Sequence, residues 1–395
     1  MIRYLRQEEK IRTRKLWESI FTEDGLSFVD FYYTDKIKKN KILVEEEAGE
    51  PVAMIHRNPF DMVMREQVFK VDYIAGVATR EDKRHQGCMS RLLSRAFADM
   101  YMERMPFCFL LPVSQAIYRP FEFVPIFNKQ PCELSRMGQD MLSSRACTEQ
   151  REDCREAAAF AGRLLESQYD IYVLRDEEYY KSLCREVRSG EGDLIFLRTK
   201  DETQALVGIQ AYYGGPRIEE REFLCLPQYQ REAGPAKPMY MGRIIHLEQF
   251  LETIHLNSGS ALNELELVMQ VKDGHIRQND GLFLWRLNKS GSEAVRLREG
   301  ERKPCFTIGI DSLTSWLFGY EKPNVMSGWQ KKLENVEVYS KIFFDEVVEE
   351  EIWFVEIKDL VKGGTVMESM EQLKRWIRES ENIVFVGGAG VSTER

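Results

Sequence analysis

The chain has 395 residues, enough for two or three domains at about 150 residues each. Hydrophobic residues make up 43% and charged residues 30%, and 55 Lys and Arg stand against 64 Asp and Glu for a formal net charge of -9. That is the balance of an ordinary globular protein; it argues against non-specific nucleic-acid binding and mildly favours cationic partners. No stretch approaches the ~20 apolar residues of a membrane helix. Met1, Ile2 and Arg3 do not open an apolar secretory run, so no membrane association and a cytoplasmic location are expected. The eight cysteines form no Cys-x-x-Cys pair and the five histidines are scattered singly. No metal site is therefore expected, and the thiols read as reduced core fillers.

Residues 1 to about 130 read as one α/β unit. A strand at 2–5 precedes helices near 8–21 and 27–38, then strands at 41–47 and 51–57 joined by a tight turn at Ala48, Gly49 and Glu50. In 70–77, Val71, Tyr73, Ala75 and Val77 share one face at period two, and Gly76 within that run predicts a bulge or a close backbone approach. From Gly87 the period changes. Met89, Leu92, Leu93, Ala96, Phe97 and Met100 recur at helical spacing, opposite Arg91, Arg95 and Asp99. An apolar strand at 107–111 ends at Pro112.

A polar stretch at 143–155 opens a second α/β region, with a helix near 157–167 and strands near 193–198 and 205–213 but no glycine-bearing strand-to-helix turn. After a loop at 233–238, a third region has a helix near 247–254, strands at 264–271, 281–287 and 305–310, and a turn at Lys272, Asp273 and Gly274. Asp311 and Ser312 are N-cap residue types, and Gly319 is placed to end the helix that follows. Leu265, Leu267 and Met269 read as core packing rather than as a lipid site.

The chemistry concentrates between Tyr73 and Ser90. A strand ends at Val77, Ala78 and Thr79, a short loop turns, and a helix opens at Gly87. Unpaired amides at a helix start form an anion site, and glycine lets a phosphate approach the backbone. The strand edge offers N–H and C=O groups to an extended, amide-bearing ligand. A pyrophosphate with a peptide-like arm matches both features, and coenzyme A is such a ligand.

The run Arg84-His85-Gln86-Gly87-Cys88-Met89 resembles motif A of the GNAT N-acetyltransferases, Gln/Arg-x-x-Gly-x-Gly/Ala, with Met89 in place of the small last residue. Downstream, Tyr118-Arg119-Pro120-Phe121-Glu122-Phe123 resembles the Tyr-x-x-Phe-Gly-Tyr/Phe segment of the enhanced-intracellular-survival (Eis) acetyltransferases, with Glu122 replacing glycine. The resemblance implies acetyl-CoA as donor, with backbone contacts from Val77, Ala78 and Thr79. The pyrophosphate would lie on His85, Gln86, Gly87, Cys88, Met89 and Ser90, and Val113 and Ser114 would border the thioester. It makes Tyr118 the general acid that protonates the leaving thiolate. His85 is then a loop backbone donor rather than a base. The same resemblance implies an α/β (α+β) chain in four parts: a GNAT acetyltransferase domain at 1–146, a degenerate GNAT-like domain at 147–236, a sterol-carrier-protein-like domain at 237–348, and a further segment at 349–395. It also implies a homo-oligomer, with a hexamer common among such proteins.

In the Eis family a short C-terminal tail brings its terminal carboxylate to the active site as general base. Residues 341–348 resemble that tail, but the chain continues past Val348. Glu346 or one of Glu349, Glu350 and Glu351 is expected to substitute, or activity to be reduced. In the last segment, residues 383–386 read as a strand entering Gly387, Gly388, Ala389 and Gly390, a glycine turn that resembles the start of a sirtuin, an NAD-dependent deacylase. The segment stops at Arg395, before that family's catalytic histidine, and is read as a truncated fusion remnant with NAD binding not expected.

The function expected is acetyl transfer by direct attack of a primary amine on an aminoglycoside, a polyamine or a protein lysine. The alternative, from a different class, is a non-catalytic acyl-CoA or lipid-binding protein that keeps the fold. Cys88 at a helix start is a conceivable nucleophile, but no His–Asp set accompanies it.

Overall fold

A computed structural model describes residues 1–22, 24–214, 218–323, 325 and 327–344. The readings placed on Glu346, on Glu349 to Glu351, on the tail as far as Val348 and on the sirtuin-like segment lie outside these residues.

The first unit is built on a mixed sheet. Its strands β1 (Ile2–Tyr4), β2 (Lys41–Glu47), β3 (Glu50–Met64), β4 (Gln67–Thr79), β5 (Phe107–Leu110) and β6 (Val124–Lys129) lie in chain order, except that Lys237–Ile244 runs between β5 and β6. The segment expected to open the third region is thus, over 237–244, a strand of the first sheet, antiparallel to both neighbours. Tyr240, Met241 and Ile244 are buried there, and no local feature of the sequence distinguishes a strand that completes a distant sheet from one that begins a new one.

The hairpin β3–β4 is longer than predicted at both ends. Asn58 and Pro59 look like loop residues, yet both stay in the ladder, paired with Tyr73 and Asp72. The turn falls at Arg65 and Glu66, both with positive φ, the backbone of a tight two-residue hairpin. Helices α1 (Arg14–Ile20) and α2 (Leu26–Thr34) cover one face of the sheet, burying Leu16, Trp17, Val29 and Tyr32. Helix α3 (Cys88–Met102) covers the other with the face predicted from its periodicity, Met89, Leu92, Leu93, Ala96, Phe97 and Met100 all being buried.

The second unit is an antiparallel sheet in the order 219–225, 206–213, 193–199, 142–146, backed by the helices Arg151–Gln168 and Glu177–Ser189. Its first strand, Leu142–Ala146, begins ahead of residue 147. In the third unit Phe306–Gly309 runs parallel to Glu264–Lys272, which pairs antiparallel with Gly281–Asn288 and through it with Ser292–Leu297. Leu265, Leu267 and Met269 sit in the core that joins this unit to the first sheet. The helix Ile310–Leu317 is capped at Gly309 rather than at Asp311, and Gly319 (φ 67°) closes its end. The chain is a mixed α/β protein, rich in sheet.

Candidate active site

The site grows from a defect in β4. Its ladder to β3 slips between Met54 and His56, so that Gly76 and Val77 together face Ile55. Gly76 holds φ 54°, and a Cβ there would stand 2.6 Å from the Trp17 ring and 3.2 Å from the His56 ring. Only glycine fits, and the bulge predicted from that residue is present. On its other side β4 meets β5 in parallel at Asp72↔Cys108 and Tyr73↔Phe109 alone. From Ile74 to Thr79 that edge carries no strand among the described residues, while β5 turns away to pair with Met241 to Ile244. Parallel strands that part at their carboxyl ends leave a cleft with backbone donors and acceptors on its wall, the usual place for a ligand in such sheets.

A turn carries the chain from β4 to α3. Arg84 is extended, His85 takes φ 60° and Gly87 φ 72°, with Gln86 between them on the negative side. Alternation of this kind turns successive amides toward one concavity, which suits an anion. Helix α3 adds its own first amides. Its N-cap, Gly87, offers no side chain to them, and its first turn holds no acid. Three contacts fix the turn from behind: Gln86 Nε2 donates to the Asp82 carbonyl (2.9 Å), Arg91 Nη1 to the Gln86 carbonyl (2.7 Å), and Arg91 Nη2 to Glu45 (2.9 Å). Arg91 was not singled out from the sequence, where it reads only as the polar face of a helix. Arg84, the residue just before the turn, is half-buried and has no ion-pair partner among the described residues.

The sequence-predicted residues come together on both sides of this turn. Val77, Cys88, Met89, Ile117 and Tyr118 share one apolar cluster; Ala78, on the opposite face of β4, packs with α1 and α2; Thr79 is buried at the strand end. His85 and Gln86 are exposed and Ser90 half-buried. The Met89 side chain lies in the core, which accommodates the departure from a small residue. Burial, followed by the nearby Glu45 charge, pushes the Cys88 thiol up, so it stays protonated at neutral pH and the nucleophile reading loses its physical basis.

Val113 and Ser114 lead into the one-turn helix α4 (Gln115–Tyr118). Tyr118 is 7% exposed, its ring 6.0 Å from that of Phe123. The turn after it ends at Glu122 with φ 62°, where glycine is the unstrained choice. The Lys237–Ile244 strand and the third unit compensate together. The Glu122 carboxylate accepts from the Gly274 amide (3.0 Å) and from Arg243 Nη2 (2.9 Å), and Arg243 also binds Asp273 (2.5 Å) and the Phe121 carbonyl (2.9 Å). His275 Nε2 lies 2.9 Å from the Pro120 carbonyl. The segment that carries Tyr118 is thus clamped by the loop at 273–279. The available signal was Arg243 inside an apolar strand, because a buried guanidinium demands carboxylates.

On the α1–α2 side of β4 lies a cavity of about 540 Å³, lined by Trp17, Tyr32, Asn40, Tyr73 and Gly76 and by Leu183, Glu186 and Arg221 from the second unit. The Tyr32 hydroxyl is 3.0 Å from His56 Nδ1 and bonds Asn58 Oδ1 (3.2 Å). Of the expected tail, Ile342 and Phe343 pair in parallel with Ile171 and Tyr172, and Phe344 stacks on Phe109 of β5 at 4.9 Å. Among the described residues no group of three His, Cys, Asp or Glu is placed to hold a metal, and no helix is long and apolar enough to cross a membrane. All eight cysteines are free thiols.

These features agree with what known proteins show. Residues 1–126 match the acetyltransferase (GNAT) domain family and residues 247–331 the sterol carrier protein domain family. No curated protein matches the sequence. Among solved structures, a GCN5-related N-acetyltransferase from Anabaena variabilis is similar in fold, with TM-score 0.69 at 13% identity, covering 88% of this chain and 100% of its own. A probable N-acyltransferase from Enterococcus faecalis V583 gives 0.66 at 12%, covering 86% and 93%. Eis1 from Mycobacterium abscessus gives 0.59 at 12%, covering 86% and 94%. The sheet with its bulged, parting strands and the helix laid on it are thus the frame of one recognised domain, and residues 1–126 of this enzyme are a GNAT acetyltransferase domain, to which residues 247–331 add a sterol carrier protein domain.

Proposed function

We propose that the chain is an Eis-like enzyme that moves an acetyl group from acetyl-CoA to a primary amine by direct attack, without a covalent enzyme intermediate. The observation that carries this is the pairing of the strandless β4 edge at 74–79 with the uncapped, positive-φ turn at 85–87. GNAT domains bind acetyl-CoA, and the residues here suit it. The edge at Val77, Ala78 and Thr79 would hold the amide-bearing arm, and the amides from His85 to Ser90, with Arg84 beside them, the pyrophosphate. A Cβ at Gly87 would meet only the Arg91 tip, at 3.3 Å, and would project into space the phosphate needs. Val113 and Ser114 would flank the thioester. When bound, the donor supplies an activated carbonyl that an amine can attack.

Tyr118 then acts as the acid. Its phenol, buried in the cluster that holds Val77 and Cys88, gives its proton to the departing thiolate. The amine would reach the carbonyl from the cavity on the other side of the bulge, where Trp17, Tyr32 and Tyr73 line the wall beside Gly76. Aminoglycosides, polyamines and lysine side chains are the acceptor classes in view, and a homo-oligomer the assembly. The degenerate GNAT-like reading of 147–236 is supported by its helix-backed sheet, whose strands 193–199, 206–213 and 219–225 pair antiparallel.

The test measures thiol release from acetyl-CoA across a panel of amines, together with calorimetry of coenzyme A binding to the full chain. Release that depends on the amine supports the reading. Binding without release from any amine turns it into the non-catalytic alternative, and no binding at all removes both.

A further inference from the structure

The charges that line the cavity beside the bulge balance, six carboxylates against six cations. Three of the acids hold cations of the same lining: Glu186 meets Lys36 and Arg221, each at 2.6 Å, Asp35 meets Lys38 at 2.8 Å, and Asp61 meets Lys70 at 2.6 Å. A polycation entering this space finds no excess of negative charge to draw it in. What sets the lining apart is its rings. From α1 and α2, Trp17 packs against Gly76 at the bulge, the Tyr32 ring lies 4.5 Å from that of Trp17, and the Phe28 ring lies 6.2 Å from that of Tyr32. From the sheet, Tyr73 of β4 meets Phe60 of β3 edge-to-face at 6.4 Å. All five line the cavity.

The polar ends of two of these rings are engaged within the chain, Trp17 Nε1 with Asp24 (2.6 Å) and the Tyr32 hydroxyl with His56 (3.0 Å). Phe28 and Phe60 have no polar atom, and both are only half-buried. The part of the cavity they line therefore offers a ligand apolar surface. An apolar ring seated there gains by leaving water and by ring-to-ring contact, whereas a second ammonium would give up its hydration among charges that already balance. We infer that the acceptor is a monoamine carried on an apolar, ring-bearing body, with its nitrogen at the bulge and its ring in the part of the cavity that Phe28 and Phe60 line. The inference rests on the acetyl-transfer reading, narrows it from amines at large to amphiphilic monoamines and sets polycationic acceptors aside.

Three matched acceptors test it on the full chain: butylamine, 4-phenylbutylamine, which adds only a ring at the far end, and putrescine, which adds only a second amine there. Each is measured by kcat/KM from thiol release. The ring should raise kcat/KM over butylamine by about tenfold to a hundredfold, the worth of burying one phenyl group. The second amine should raise it by no more than about twofold, since putrescine merely offers two equivalent nitrogens. In Phe28→Ala and in Phe60→Ala the ratio of 4-phenylbutylamine to butylamine is read within each variant, so that any loss of folded enzyme cancels, and in at least one of them it should fall toward one. No gain from the ring, a preference for putrescine over 4-phenylbutylamine, or a ratio that neither variant moves overturns the inference and, with release intact, leaves acetyl transfer standing. No release from any of the three amines removes both.

Discussion

The first and second units are built of the same parts, helices laid on a sheet, and differ at the helix starts. Helix α3 begins at a left-handed glycine with no side-chain cap and no acid in its first turn. The helix Glu177–Ser189 begins at Asp176, whose carboxylate accepts the Tyr179 amide at 2.7 Å, and continues with Glu177 and Glu178; Arg151–Gln168 opens with Glu152 and Asp153 in its first turn. The acids complement the helix dipole and stabilise these helices, but they fill the place where an anion would sit. The second sheet is also antiparallel throughout, so no edge opens between parting parallel strands. One arrangement is made for stability and the other leaves polar groups unsatisfied until a ligand comes.

The largest effect that can break this contrast is chemical. Tyr118→Phe keeps the ring in its cluster and removes the proton donor. Acetyl transfer is expected to fall by about a hundredfold or more, while coenzyme A binding, measured by calorimetry, stays as it was. An undiminished rate would mean that the acid is elsewhere.

The next effect is on stability and concerns the clamp that the third unit places on the Tyr118 turn. In Arg243→Met the fully buried Asp273 and the partly buried Glu122 lose their cation. Removing one partner of a buried pair costs about 3–5 kcal/mol, which denaturant unfolding would register. A loss below ~1 kcal/mol would show that the strand Lys237–Ile244 holds the units together without the charges.

The helix-start comparison is sharpened directly by Gly87→Asp, which gives α3 the kind of acidic residue that begins the second unit's helices. The added Cβ meets only the movable end of Arg91, so the fold should survive, and aspartate tolerates positive φ better than most residues. Coenzyme A affinity should drop by about ten- to a hundredfold, the worth of one charge-assisted hydrogen bond exchanged for repulsion. Unchanged affinity would place the pyrophosphate away from this turn.

How much of this was legible in the sequence follows from the range of the interactions. Local features could be read: the face of α3, the bulge at Gly76 and the glycine-led turn follow from spacing within a few residues, whereas Tyr118 is pointed to only by the resemblance of its segment to the Eis enzymes. What could not be read is long-range. The strand Lys237–Ile244 lies more than a hundred residues from its partners in β5 and β6, and the parting of β4 from β5 is visible only once that strand is seen to draw β5 away. Glu122 looked like a mere departure from glycine until Arg243 and Gly274 supplied the contacts that hold it. The cavity beside the bulge takes part of its wall from Glu186 and Arg221 of another unit, and no motif encodes it.

The smallest expected effect separates the units by pH. The second unit, from 142 to 225, contains no histidine, whereas His56 is fully buried in the first sheet with Nε2 unpaired, and burial, aided by the Lys10 charge, pushes its pKa down to about 3. In the unfolded chain the ring titrates near 6.5. Between these values the unfolded state binds the extra proton, so the His56 contribution is intact above pH 6.5 and is lost as pH falls toward 3, by about 1.4 kcal/mol per pH unit. A second buried ring, His246, is lowered to about 4, mainly by its burial, and adds to the same limb, again from outside the second unit. His56→Gln, which keeps an acceptor for the Tyr32 hydroxyl, should therefore flatten the acid limb of the stability curve between pH 6 and 4 by about one proton, whatever it costs at pH 7. If the variant and the parent lose stability with the same slope over that range, His56 is not held neutral in the fold, and the acid sensitivity lies with the carboxylates that both units share.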